Sequence, residues 1–237
     1  MSEEYFTKLI NICKKANEEL SEHLKDIQCS DLYYTGTKGA GGDDMMYIDK
    51  IAEDIFVKHL LPYANIQSEE SGYIKSNITT TNTIYLDPID GSDNLRSSLP
   101  YYATSIALQI QGLTKLAFIY NLVNNTYFYK TPYKSNIIEQ KVQSSLGIFE
   151  RAYSNPKLVQ KLHEKNIKFR SPGAVSLSIA NTYNYLFFLL EANLRKEDIC
   201  AGLYICEDLN IFQTNKFLLI CKNITIFNVI KEILKDI

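Results

Sequence analysis

Asp87-Pro88-Ile89-Asp90-Gly91-Ser92-Asp93-Asn94 directly follows the apolar run Thr83-Ile84-Tyr85-Leu86. The run predicts a strand, and the residues after it predict a stiff acidic turn at the strand end. Pro88 fixes its own φ and removes a backbone donor. Gly91 permits a sharp reversal and a close approach of backbone to a ligand. Asp87 and Asp90 repel each other across so short a turn. A hard cation with oxygen ligands, typically Mg²⁺, relieves that repulsion. The turn then presents the cation, the Ser92 hydroxyl and backbone N–H groups to one phosphate.

Upstream, Ser68-Glu69-Glu70-Ser71-Gly72 follows the short apolar approach Ala64-Asn65-Ile66-Gln67 and places a second acidic pair at a strand end. Ile48, Ile51, Ala52, Ile55, Phe56 and Leu60 recur at helical spacing and predict a helix over Ile48–Leu60. Asp49 lies near its start, off the apolar stripe, where the helix dipole favours a carboxylate. Thr37-Lys38-Gly39-Ala40-Gly41-Gly42-Asp43-Asp44 is too rich in glycine for an element interior and predicts a mobile loop. Downstream, Arg170-Ser171-Pro172-Gly173-Ala174-Val175-Ser176-Leu177 predicts a turn opening a helix. Tyr183–Leu190 is a near-continuous apolar run, ended by Glu191, that predicts a buried strand too short to cross a membrane. Lys196-Glu197-Asp198-Ile199-Cys200-Ala201-Gly202-Leu203 leads into a further helix.

Asp87–Asn94 resembles the signature of the inositol monophosphatase superfamily of Mg²⁺-dependent, lithium-sensitive phosphatases. That superfamily includes inositol monophosphatases, fructose-1,6-bisphosphatases and 3′-phosphoadenosine phosphatases. The resemblance implies that Glu69, Asp87 and the Ile89 carbonyl hold one Mg²⁺, and that Asp87, Asp90 and Asp198 hold a second. Two or three ions in all are implied. Asp49 and Ser92, with Glu69, are implied to serve catalysis by orienting the attacking water. Lys38 matches a loop lysine near the phosphate, and the N–H groups of Gly91 and Ser92 are implied to steady its oxygens. Gly173 and Ala174 match residues that line the substrate pocket. Glu191 matches an acid that binds substrate hydroxyls.

The chain departs from the family pattern in the second signature. Glu197 stands where the family has tryptophan, and the chain has no tryptophan. Glu207-Asp208-Leu209-Asn210 replaces the usual glycine pair. Bland readings stand beside the functional ones. Asp49 can serve only as a helix cap, Lys38 can be a solvated loop lysine, and Glu197, Asp198, Glu207 and Asp208 can be solvated helix acids.

The order of elements predicts an α+β fold. Helices over Tyr5–Leu24 and Ile48–Leu60 precede strands near Ile66, Ile84, Tyr102–Ile110, Leu116–Tyr120 and Thr126–Tyr129. Between Asn121 and Lys168 only alternating strands and a polar connection are legible. Helices and strands then alternate, ending with the strand Phe217–Cys221 and a helix from about Ile226. The resemblance sharpens this to a layered α-β-α-β-α sandwich of the sugar-phosphatase type. Residues 1–130 are expected to carry most metal ligands, and residues 131–237 to complete the metal and substrate site.

Composition fits a soluble cytoplasmic enzyme. The 237 residues support a substantial core, and the net charge of −2 gives no general attraction for nucleic acid. The five cysteines lack metal-ligand pairing and the three histidines lack zinc spacing. The acidic start, Met1-Ser2-Glu3-Glu4, is unlike a signal peptide, and no membrane partner is expected. The expected activity is Mg²⁺-dependent hydrolysis of the phosphate monoester of a small polyol or sugar, in a homodimer. Fructose-1,6-bisphosphatase is the runner-up and 3′-phosphoadenosine 5′-phosphate phosphatase a weaker one. A metal-binding regulatory protein without turnover is the alternative of another class.

Overall fold

A computed structural model describes residues 1–139, 144–191 and 194–235. The chain opens with α1 (Glu3–Lys25), where the Ser2 hydroxyl accepts the Tyr5 N–H and Glu3 and Glu4 occupy the first turn. Both features favour a helix start, and His23 and Lys25 suit its end. An antiparallel hairpin follows, β1 (Tyr34–Lys38) and β2 (Asp44–Met46), and runs straight into α2 (Tyr47–Leu60). The glycine-rich segment expected to be a mobile loop is the tip of this hairpin. Its Ala40 and Gly41 N–H groups donate to the Glu70 and Glu69 carbonyls, each at 2.8 Å.

A six-stranded sheet comes next, formed by β3 (Asn65–Ser68), β4 (Gly72–Ile74), β5 (Thr83–Asp90), β6 (Ala103–Ile110), β7 (Leu113–Asn121) and β8 (Thr126–Lys130). Their order is β4-β3-β5-β6-β7-β8, with β3 and β5 parallel and every other pair antiparallel. A short helix, α3 (Ser92–Arg96), leaves the end of β5.

The second sheet has five strands: β9 (Leu146–Glu150), β10 (Lys168–Arg170), β11 (Phe188–Glu191), β12 (Asn210–Gln213) and β13 (Phe217–Cys221). They lie in the order β10-β9-β11-β13-β12, and the helices α4 (Pro156–Glu164), α5 (Val175–Ala180), α6 (Lys196–Ile205) and α7 (Ile224–Lys235) connect or flank them.

Strand alternation turns this order into layers, because successive side chains leave a strand on opposite faces. Leu86, Ile106 and Phe118 meet Phe6, Leu9 and Leu20 of α1 and Ile48 and Phe56 of α2. On the opposite face, Ala107, Ala117 and Ile119 meet Leu177 and Ile179 of α5 and Ile199 and Ile205 of α6. The same middle layer covers Ile148, Phe188, Leu190 and Leu218 of the second sheet. The far face of that sheet, with Phe149, Leu189 and Leu219, meets Leu158 and Leu162 of α4 and Phe227, Ile230 and Leu234 of α7. The order is therefore α-β-α-β-α.

Several element limits differ from the sequence expectation. The strand expected over Tyr183–Leu190 begins only at Phe188, and residues 182–184 form a 3₁₀ turn in which the Tyr183 hydroxyl bonds Asp208. An apolar run marks burial but not strand length. α6 begins at Lys196, so Asp198 lies in its first turn. α7 begins at Ile224, because the Asn223 carboxamide accepts the N–H groups of Thr225 and Ile226 at 2.9 and 3.2 Å. α4 and β9 resolve the stretch that was legible only as strands and a polar connection. α4 carries two start signals, Asn155 as cap and Pro156 in the first turn. No helix among the described residues is long and apolar enough to cross a membrane.

Candidate functional site

The signature turn is a β-bulge followed by a left-handed glycine. Asp87 pairs with Ser105 and Asp90 with Ala103, so Pro88 and Ile89 oppose Thr104 alone. The Thr104 hydroxyl closes the bulge by donating to the Pro88 carbonyl at 3.0 Å. A bulge bends its strand and re-aims side chains; here Asp87 and Asp90 are both buried, 3% and 7% exposed. Gly91 then takes φ +87°, and a Cβ on it would lie 3.0 Å from the Gly173 carbonyl oxygen and 3.1 Å from Ala174 Cβ. Only glycine admits this turn and the approach of the 171–174 segment. Asn94 fastens that approach, donating to the Tyr101 and Pro172 carbonyls at 2.7 and 2.8 Å.

Glu69 and Glu70 sit on the turn between β3 and β4. The Glu69 N–H donates to the Leu86 carbonyl, which holds the turn beside β5. The buried Glu53 of α2 accepts the Ser71 N–H and hydroxyl. The hairpin tip closes over this turn. A Cβ on Gly39 would lie 2.8 Å from Glu70 Oε2, and one on Gly41 would lie 2.5 Å from Arg195 Nη1 and 2.9 Å from Glu69 Cγ. Gly39 and Gly41 therefore serve close packing of the tip, while Gly42, at φ +96° with open space around it, serves the turn itself.

Asp90 is held from the other half of the chain. Its Oδ1 accepts the Val175 N–H at 2.9 Å, and its Oδ2 accepts the Ser176 N–H at 2.7 Å and the Ser176 hydroxyl at 2.6 Å. Glu150, at the end of β9, accepts the Gly173 N–H and the Ser178 hydroxyl and so fixes the start of α5.

Asp198 is 6% exposed, and its first turn is tied to β6 by the Ser105 hydroxyl, which donates to the Glu197 carbonyl at 3.0 Å. Arg195 stands one turn before it. Its Nε donates to Asp198 Oδ2 at 3.1 Å, while its Nη1 lies 2.8 Å from Glu69 Oε1 and 2.9 Å from Asp43 Oδ2. Nη1 also donates to the Gly41 carbonyl at 3.2 Å.

These elements surround a cavity of about 610 Å³ lined by Asp49, Glu69, Glu70, Asp87, Ile89, Asp90, Gly91, Ser92, Glu150, Gly173, Arg195 and Asp198, among others. Tyr34, Leu99, Arg151 and Tyr153 also line it. One carboxylate oxygen each from Glu69, Asp87 and Asp198 lies within 4.8 Å of the other two. Burial raises the proton affinity of all three, and repulsion within the cluster adds to it at Glu69 and Asp87. Glu69 is pushed up to about 7 by burial and Asp198. Asp87 is raised well above the usual carboxylate range by burial, Glu69 and Asp90. Asp90 reaches about 7 through burial, against the Ser176 hydrogen bond. Asp198 is also raised by burial, although Arg195 opposes the shift. Glu70, likewise desolvated, reaches about 8.

The donor set fits a hard divalent cation. It is made of oxygens alone, and Asp198 Oδ1 is buried without a hydrogen-bond partner. Such an atom is costly to bury unless a cation or proton completes it.

Asp49 and Ser92 both line the cavity. Asp49 Oδ2 accepts the Met46 N–H at 2.8 Å, which caps α2, while its Oδ1 is buried and unpartnered. The carboxyl therefore serves the helix with one oxygen and leaves the other free. Burial, helped by Asp93, raises it to about 6. Gly91 and Gly173 line the cavity; Ala174 is fully buried against Gly91.

Lys38 and Glu191 do not line the cavity. Lys38 pairs with Asp44 at 3.2 Å across its own hairpin and donates to the Gly42 carbonyl. Glu191 ends β11 between Asn155 and Lys216, the latter at 2.9 Å. Asp208 lies beyond the far end of α6 with Tyr183 and Lys130. Sequence reasoning missed Arg195 and Glu150. Arg195 carried a signal, since residues at i and i+3 meet on a helix face. Glu150 carried none, because its strand was unread.

The sequence model described as the inositol monophosphatase family matches residues 2–211. A fructose-1,6-bisphosphatase/inositol-1-monophosphatase of Methanocaldococcus jannaschii is 27% identical over 216 residues, covering 87% of this chain and 84% of that protein. A protein of the same description from Thermococcus kodakarensis is 40% identical over 82 residues, 31% of each chain. The Nus factor SuhB of Escherichia coli is 29% identical over 127 residues, 52% of this chain and 47% of that one. The chain thus matches only a third to a half of the length of several curated relatives. Among solved structures, the extragenic suppressor protein suhB of Bartonella henselae superimposes with a TM-score of 0.78 at 19% identity, over 97% of this chain and all of that one.

Proposed function

The chain belongs to the inositol monophosphatase family, a family of Mg²⁺-dependent phosphatases, and on that premise we propose that it hydrolyses the phosphate monoester of a small polyol or sugar, an inositol monophosphate foremost. The observation that carries this reading is the convergence of Glu69, Asp87 and Asp198 within 4.8 Å on the wall of an open cavity. These three, with the Ile89 carbonyl and Asp90, would hold two Mg²⁺ ions. When bound, Mg²⁺ supplies positive charge and Lewis acidity for phosphoryl transfer.

The remaining work falls to the chain itself. The free Oδ1 of Asp49 is the acceptor that orients a water, together with the Ser92 hydroxyl. A carboxyl raised to about 6 suits a group that takes a proton near neutrality. Backbone N–H groups of Gly91 and Ser92 steady the phosphate oxygens as charge builds on them. Glu150 and Asn94 act at one remove, by fixing the segment that clamps Asp90. This reading assigns no substrate contact to Lys38 or Glu191, which stand outside the cavity.

Arg151 on the cavity wall supports fructose 1,6-bisphosphate as a second substrate, because it offers a cation to a second phosphate. The Arg195 contacts with Glu69 and Asp198 favour a different class, a regulatory protein without turnover; the relatives named Nus factor support the regulatory part of that reading alone. A phosphate-release panel with excess Mg²⁺ decides among these. Inositol 1-phosphate, fructose 1,6-bisphosphate and 3′-phosphoadenosine 5′-phosphate are the substrates. Release from the first above the others is expected. No release from any of them overturns the phosphatase reading.

A further inference from the structure

Arg195 sits where an acidic cluster awaits a cation, and it is tied on the other side to the β1–β2 hairpin. One guanidinium reaches Glu69 at 2.8 Å, Asp198 at 3.1 Å, Asp43 at 2.9 Å and the Gly41 carbonyl at 3.2 Å. Glu69 and Asp198 belong to the wall of the cluster; Gly41 and Asp43 belong to the hairpin tip. No other residue joins the two sets through its side chain among the described residues. We propose that Arg195 is an internal counter-cation that competes with the divalent ion for Glu69 and Asp198, so that ion binding releases the hairpin tip. The inference rests on the metal assignment above and adds to it a competitor and a moving part.

Three observations converge on it. First, the charges conflict. Glu69 Oε1 and Asp198 Oδ2 hold Arg195, and the same two carboxylates, with Asp87, form the oxygen cluster, in which Asp198 keeps only Oδ1 free. A dication brought among them meets a fixed positive charge a few ångströms away, and like charges at that distance repel strongly in a partly buried site. Second, the clasp is a permanent charge set among three carboxylates: the Arg195 guanidinium meets Glu69, Asp43 and Asp198 at 2.8, 2.9 and 3.1 Å, and its side chain is only 23% exposed. Third, the tip depends on the clasp. Gly41 has no room for a Cβ because Arg195 Nη1 would lie 2.5 Å from it, so the guanidinium is packed against the tip backbone itself. The Ala40 and Gly41 N–H bonds to Glu70 and Glu69 hold only the inner side of the tip. The outer side, Asp43 and the Gly41 carbonyl, is held by Arg195.

The consequence is an exchange of one cation for another. When Mg²⁺ takes Glu69 and Asp198, Arg195 keeps only Asp43 and the Gly41 carbonyl, both near solvent, and an exposed pair of that kind contributes little. The tip is then freed at the cavity that its Gly39, Gly41 and Asp43 line. Arg195 is thus a positioning residue: it touches the ligands of the ion and the hairpin.

The test is calorimetric titration of Mg²⁺ alone into wild-type protein and Arg195→Gln, with amide hydrogen exchange followed at residues 39–44. Removing one fixed charge from the site is expected to tighten Mg²⁺ binding roughly tenfold. Exchange at the tip should be faster in metal-free Arg195→Gln than in metal-free wild type, and saturating Mg²⁺ should speed it in the wild type. Equal or weaker binding by a folded Arg195→Gln overturns the competition. Tip exchange unchanged by the substitution overturns the coupling. If the variant does not fold, the wild type decides alone: faster tip exchange with Mg²⁺ supports the inference, and unchanged or slower exchange overturns it. A wild type that binds no Mg²⁺ overturns the metal assignment and this inference with it. A wild type that binds Mg²⁺, beside a variant that binds it equally, overturns this inference only.

Discussion

Asp90 and Asp198 are both buried acids on the wall of one cavity, and their neighbours differ in kind. Asp90 accepts two backbone N–H groups and a hydroxyl within 2.9 Å, all neutral and all from the start of α5. Asp198 has one oxygen on the Arg195 guanidinium and the other without a partner. Neutral donors stabilise a carboxylate without opposing a second cation, so Asp90 is fixed before any ion arrives. An arginine stabilises its carboxylate by occupying it. One region of the site is therefore preorganised by the backbone and the other is held by a charge that has to be displaced. The fixed half belongs to the signature turn and the displaceable half to α6.

The largest effect should come from the displaceable half. Asp198→Asn removes a charge that the cluster supplies to the ion, so phosphate release under saturating substrate should fall about a hundredfold or more, several kcal/mol of barrier. Mg²⁺ activation should shift to higher concentration. Turnover near the wild-type level would break the comparison, because the second half of the site would then contain no ligand. Chelation by EDTA should abolish release from the wild type and added Mg²⁺ should restore it.

Stability without metal separates the two acids in the opposite order. Asp90→Asn places an amide NH₂ among donors that need an acceptor, and hydrogen bonds to a charged group are worth about 1.5–3 kcal/mol each. Relief of repulsion with Asp87 and Asp198 offsets part of that loss. The net expectation is a lower melting temperature in EDTA, by about 2–4 °C per kcal/mol for a chain of this size. Asp198→Asn also relieves repulsion but gives up only the Arg195 contact, so its melting temperature should change less. Thermal melts of both variants in EDTA check this. Equal losses would mean that Arg195 holds Asp198 as firmly as α5 holds Asp90.

A pH series gives a smaller and graded effect. Burial chiefly pushes Asp49 up to about 6, Glu69 and Asp90 up to about 7 and Glu70 up to about 8. In the unfolded chain these acids ionise near their ordinary values, around 4. Between those limits the folded state holds more protons than the unfolded one. Stability of the metal-free protein should therefore fall as pH rises from about 5 to about 8. Mg²⁺ favours the ionised forms and should flatten the slope. A metal-free melting temperature that rises across this window would show that hydrogen bonds and Arg195 outweigh the burial of the cluster.

What the sequence made legible follows the same division. The signature turn was readable because its chemistry is contiguous: proline, glycine, two acids and a hydroxyl in one turn. The helices α1 and α2 and the strands around Ile84 and Ile106 were readable from the residues, while their layered order came from the resemblance. The packing of the hairpin tip was not legible, because glycine density signals either freedom or close packing, and only the neighbours of Gly39 and Gly41 show the latter. The clamp on Asp90 was invisible, since backbone amides leave no mark in a sequence and Ser176 is an ordinary helix residue. Glu150 was hidden for a similar reason: β9 is short and emerges from a polar stretch, so nothing announced the acid at its end.

The smallest expected effect concerns Glu191, the acid that the family resemblance assigned to substrate hydroxyls. It lies outside the cavity between Asn155 and Lys216, whereas Glu150 lines the cavity and holds Gly173 and Ser178. Glu191→Gln keeps the size and an acceptor for Asn155 and gives up one ion pair with the half-exposed Lys216, an interaction usually worth about 1 kcal/mol or less. Its kcat/KM for an inositol monophosphate should stay within about threefold of wild type, under about 0.7 kcal/mol of barrier. Glu150→Gln should do more, because it loosens the start of α5 and with it the N–H groups that fix Asp90. Measuring kcat and KM for both variants discriminates the two acids. A raised KM for Glu191→Gln with kcat unchanged would mean that β11 turns its end toward the substrate when substrate binds. The preorganised half of the site would then extend past α5 to β11. An unchanged KM with reduced kcat for Glu150→Gln would confine it to the segment that clamps Asp90.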